Sequence, residues 1–155
     1  MKHISKILIL ILIFMTSCSS TGSREFKTSE EQAKEIEVEI INCIEQKDAE
    51  TLKSLFCSYI INNYSDLDAK IEEVFEFFDG KIVSYDGLTS SACGSREHQD
   101  CGASANVTTD KGTVYSIAFK CWLTNKDYPD KIGVNALVVK NESANKISEV
   151  RISEE

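Results

Sequence analysis

Proline, tryptophan and histidine are scarce in this 155-residue chain, which has Pro129, Trp122 and two histidines, His3 and His98. An HExxH helix, which needs two histidines one turn apart, is therefore excluded. A glycine-rich phosphate loop and a G-x-S-x-G nucleophile elbow are both missing, so the usual signatures of nucleotide and serine-hydrolase chemistry are absent. Basic residues are also in short supply: 17 Lys and Arg stand against 25 Asp and Glu, a net charge of −8. Phosphate backbones repel such a chain, and no nucleic-acid partner is expected. The longest apolar run, Ile7 to Met15, has nine residues, where a membrane-spanning helix needs about 20.

That short run has a meaning of its own. Lys2 and Lys6 precede it and Thr16, Ser17 and Cys18 follow, the layout of a secretory signal peptide. Met15-Thr16-Ser17-Cys18 resembles the bacterial lipobox, which implies acyl chains on Cys18 and cleavage just before it. The expected organisation is a leader over residues 1–17, a lipidated cysteine and flexible tether over 18–28, and a single domain over 29–155. Localisation follows as the extracytoplasmic side of the cell membrane, with the membrane itself a partner through the lipid anchor. Without the leader, 15 basic residues face 25 acidic ones, a net charge of −10. Anionic headgroups do not attract that charge, so two acyl chains must do the anchoring.

Ser29-Glu30-Glu31-Gln32 matches a capping box, and Ala33, Ile36, Ile40, Ile41 and Ile44 recur at helical spacing to about Lys47. Asp48 is placed to cap a second helix carrying Leu52, Leu55, Phe56, Tyr59 and Ile60. A third, from Ser65 or Asp66, turns Leu67, Ile71, Val74, Phe75 and Phe78 inward and stops at Gly80. The period then changes. Lys81 to Asp86 reads as a short strand, Ser104 to Thr109 as a weaker one, and Thr113 to Thr124 alternates strictly. Lys131 to Lys140 and Lys146 to Ile152 complete the set. Helices followed by an antiparallel sheet define an α+β class.

Leu52-Lys-Ser-Leu-Phe56, Gly80-Lys-Ile-Val-Ser-Tyr85, Tyr115-Ser-Ile-Ala-Phe119, Asn125 and Pro129-Asp-Lys-Ile-Gly133 together resemble domain-of-unknown-function family 5104, small lipoproteins of Gram-positive bacteria. The resemblance covers about residues 30 to 140. It implies a nuclear-transport-factor-2-like cone, in which a curved antiparallel sheet wraps helices around a pocket. It brings no catalytic residues and no cofactor.

Residue chemistry adds little. His98 is the only histidine left after the leader, and a dyad with Cys57 or Cys121 competes with simple solvation. Glu72, Glu73 and Glu76 read as a solvated helix face. Five cysteines remain beyond Cys18, an odd number. Cys121 alternates with inward residues and behaves as a small buried hydrophobe. Cys43 and Cys57 border apolar stripes and can pair or pack. Cys93 and Cys101 bracket a Gly/Ser-containing stretch and are the expected disulfide, with a Cys93/His98/Asp100/Cys101 metal site as the alternative.

On the sheet face opposite Tyr115, Ile117, Phe119 and Leu123 lie Val114, Ala118 and Trp122, an apolar set expected to be covered by a second copy or by the C-terminal segment. Taken together, the residues describe a membrane-anchored, non-enzymatic domain that binds a small molecule or an extracytoplasmic protein. A pocket-based acid–base enzyme using Tyr59, Tyr85, Tyr115 and buried carboxylates is one alternative. An acidic inhibitor or immunity-type lipoprotein is another.

Overall fold

A computed structural model describes residues 27–144 and 148–153. The leader, Cys18, most of the tether and the start of the expected last strand lie outside the described residues. Helix α1 (Ser29–Gln46) opens on a capping box one residue earlier than expected. Thr28 Oγ1 accepts from the Glu31 amide and Glu31 Oε2 accepts from the Thr28 amide, while the Ser29 hydroxyl instead accepts from Gln99 Nε2. Lys47, in the left-handed conformation at φ 56°, ends the helix. Asp48 caps α2 (Ala49–Leu55) by accepting from the Thr51 amide at 3.0 Å.

The expected second helix is two helices. Between α2 and α3 (Ser58–Asn63) the chain extends at Phe56 and Cys57, the Cys57 amide donates to Val134 O at 2.9 Å, and Phe56 bridges Val134 in parallel. An amide spent on the sheet cannot also continue a helix. Helix α4 (Leu67–Phe77) follows.

Among the described residues, five strands form one antiparallel sheet in sequence order: β1 (Ile82–Gly94), β2 (His98–Thr109), β3 (Val114–Asn125), β4 (Gly133–Asn141) and β5 (Ser148–Ser153). The first two are far longer than the sequence suggests, because Gly, Ser, Ala and Asn are poor strand formers that pairing overrides. The stretch from Cys93 to Cys101 is thus a tight hairpin, closed by the Ser95 amide on His98 O at 2.7 Å. Register shifts in the ladders bend the strands, and the sheet curves over α1 and α4, an α+β arrangement consistent with the nuclear-transport-factor-2-like cone. One shift, at Lys120/Cys121, sets Val134 inward with Leu137 and Val139 and leaves Ala136 and Val138 on the outer face. The core joins Ile40, Ile44, Leu52, Ile71 and Val74 of the helices to Val107, Ile117, Leu137 and Ile152 of the sheet.

The expected Cys93–Cys101 disulfide is not formed. Cys101 lies directly opposite Cys121, Cα to Cα 5.2 Å, and the two are bonded. Cys93 is paired in register with Asp100, so its thiol stands on the outer face while that of Cys101 points inward. Adjacent positions on a strand face opposite ways, and no bend of the hairpin reconciles them. Cys121 is buried as expected, but as half of a disulfide. The C-terminal strand β5 extends the sheet edge beside β4 and does not cross the outer face.

Candidate functional site

The interior of the cone is filled by apolar side chains, and among the described residues its buried carboxyl is Glu37. It is 0 % exposed on α1, and neither carboxylate oxygen has a hydrogen-bond partner. Burial alone pushes its carboxyl up to about 8, because an unpaired charge is costly where water is excluded. Among the described residues, the other buried polar ones are Thr109 and Asn125. Ser29 at the start of α1 meets Gln99 near the start of β2, and the helix crosses β1 and β2, where Cys101, Ala103, Ala105 and Val107 face inward.

The tyrosines named above do not gather around Glu37 as an acid–base set. Tyr115 is buried, its hydroxyl donating to Phe77 O at 3.2 Å and accepting from the Asp79 amide at 3.0 Å. Tyr85 is 50 % exposed on the edge strand, and Tyr59 packs under the Lys131 ammonium. His98 Nε2 is 2.9 Å from Asp127 Oδ2 on the surface, remote in role from any thiol. With Cys101 in a disulfide and His98 held by Asp127, the four residues of the metal alternative are not assembled. Cys43 and Cys57 are buried free thiols, and burial, with smaller effects of Glu39 and Asp48, pushes Cys43 up to about 11. A thiol held protonated is a packing group, not a nucleophile. Glu72, Glu73 and Glu76 are exposed on α4.

The outer face of the sheet is different. Val114, Ala118 and Trp122 are half-buried there, beside Val138 and Ala136 of β4. Trp122 is flanked by Asp100 on one side and Gly133 on the other. Next to it, Gly102 lacks a side chain and leaves a depression of about 370 Å³. Lys120, Ser91, Ser104, Thr89, Asp100 and Cys93 rim it, and the Thr89 and Ser104 hydroxyls lie 3.0 Å apart. Gly102 is itself enforced, since a Cβ would stand 2.9 Å from Phe119 O.

The family model described as Domain of unknown function (DUF5104) matches residues 39–146, well over half of the chain. The chain belongs to this family. The comparison with curated proteins finds no match. The family's matched stretch runs from the middle of α1 through β4, so it includes the outer-face depression, Trp122 and the disulfide, whereas Glu37 falls just before it. Two features escaped the sequence reading. Glu37 lies four residues after Ala33 and three before Ile40, a spacing that does put it on the inward stripe. Gly102 and Lys120 carry no such signal, because only strand pairing makes them neighbours.

Proposed function

We propose that this family member is a lipid-anchored extracytoplasmic domain that binds a partner through the outer face of its sheet, without catalysis. The observation that carries the reading is the division between the two sides of the sheet. The inner side is filled by core residues, and its unpartnered carboxyl, Glu37, is 0 % exposed, closed off from the hydrogen-bond reach of a substrate proton that acid–base work requires. The outer side presents Trp122, Ala118 and Val114 next to a polar concavity, the mixture of an amphipathic aromatic and oriented polar groups that recognition sites use. The lipobox-like Met15 to Cys18 supplies the anchor, and a buried disulfide suits an oxidising exterior. The partner is a small molecule, another extracytoplasmic protein or a second copy of the chain.

The test is crosslinking at the cell surface followed by recovery of the tethered protein, with wild type and Trp122→Asp compared side by side. A crosslinked species, homodimer included, that disappears with Trp122→Asp supports the reading. Identical crosslinking patterns from a folded Trp122→Asp protein, together with no saturable response of wild-type Trp122 fluorescence to small-molecule ligands, overturn it.

A further inference from the structure

We infer that the Gly102 depression binds a small zwitterion of the free amino-acid class, its carboxylate toward Lys120 and its ammonium toward Asp100. This deepens the outer-face binding reading and rests on it. Across the β1–β2–β3 ladder Gly102 is flanked by Ser91 and Lys120, while Asp100 and Ser104 are its neighbours on the same face of β2. Residues two apart on a strand are about 6.6 Å apart, and neighbouring strands about 4.8 Å, so the empty position at Gly102 has a cation on one side and a carboxylate at one end.

Those two charges do not neutralise each other. Among the described residues neither Lys120 nor Asp100 takes part in an ion pair, although both are exposed on the same face. A lone anion would gain Lys120 and the hydroxyls of Ser91, Ser104 and Thr89 but face Asp100; a lone cation would gain Asp100 but face Lys120. Only a ligand carrying both signs within a few ångströms satisfies both ends. The Thr89 and Ser104 hydroxyls share one proton between them at 3.0 Å, which leaves one of that pair, and the Ser91 hydroxyl across Gly102 from Lys120, to donate to the ligand. A volume of about 370 Å³ is at the small end for ligand sites and has room for a free amino acid.

The single tryptophan, Trp122, adjoins Asp100 and serves as the reporter. The full chain, solubilised from membranes, is titrated with L-alanine, with sodium acetate and with methylammonium chloride at constant ionic strength, following Trp122 fluorescence and checking the end points by calorimetry. The expected result is saturable binding of L-alanine, with acetate and methylammonium each at least about tenfold weaker. Lys120→Gln and Asp100→Asn, both surface substitutions, each weaken L-alanine by about tenfold, or ~1.4 kcal/mol, with the far-ultraviolet circular dichroism unchanged. Acetate binding as tightly as L-alanine, no saturation by L-alanine, or unchanged affinity in both variants overturns the zwitterion site. If L-alanine fails while Trp122→Asp still abolishes surface crosslinking, the ligand class is wrong and the outer-face reading stands; if both fail, the outer-face reading falls with it.

Discussion

Cys101 and Cys121 face each other across the β2–β3 ladder at a Cα separation of 5.2 Å and are joined, while Cys93, opposite Asp100 on β1, stands exposed on the other face. Peptide mapping without reduction is expected to recover one crosslinked pair, Cys101 with Cys121. Alkylation of the folded protein should label Cys93, and unfolding should be needed before Cys43 and Cys57 react. Replacing both bonded cysteines by alanine should cost up to about 3 kcal/mol on a loop-entropy basis, and less because the hairpin already holds the strands together. Recovery of a Cys93–Cys101 peptide pair would contradict the register.

Glu37 ties stability to pH. Its folded-state carboxyl is raised to about 8 from an ordinary 4.5, so the folded protein keeps a proton that the unfolded chain gives up. Stability is therefore fully present below about 4.5, declines as pH rises from there, and levels off above about 8. Glu37→Gln should flatten that slope and raise the melting temperature most at pH 8. Glu37→Met should stabilise further, by about 1 to 3 kcal/mol, because it leaves no buried polar atom without a partner. Chemical denaturation at a series of pH values checks both, and a wild-type curve parallel to that of Glu37→Gln would show the carboxyl to be solvated.

Gly133 has φ +120°, and a Cβ there would come within 3.0 Å of the Cys57 backbone. Gly133→Ala is expected to destabilise by about 2 to 4 kcal/mol, combining backbone strain with displacement of the Phe56–Val134 bridge. Urea midpoints measure the loss. Gly112→Ala is the control: φ is +76° but nothing stands within 4 Å, so only about 1 kcal/mol of conformational cost applies.

Cys18→Ser should leave the protein without its acyl chains, since no other thiol adjoins the leader. Metabolic labelling with a fatty-acid analogue reads this directly, and label retained by the variant would refute the anchor.

Local chemistry made a good part of this protein legible. The isoleucine spacing of α1, the Asp48 cap and the strict alternation of β3 are short-range patterns, and each appears where periodicity puts it. The order of helices before strands was enough for the α+β class. Residues that depend on distant partners behaved otherwise. Phe56 and Cys57 lie inside a good helical stripe, yet the sheet claims the Cys57 amide and splits the helix. The Ser-, Ala- and Gly-rich stretches of β1 and β2 have little strand propensity of their own and extend because neighbouring strands satisfy their backbones. The choice between Cys93 and Cys121 as the partner of Cys101 turned on which face each occupies, and a one-residue step in register reverses a face. Sequence by itself determined the helical stripes and the class, both properties of residues within a few positions of one another. Only the tertiary structure decided the disulfide, the burial of Glu37 without a partner and the meeting of Lys120, Gly102 and Asp100, because each joins segments through strand pairing or layer packing that no local pattern encodes.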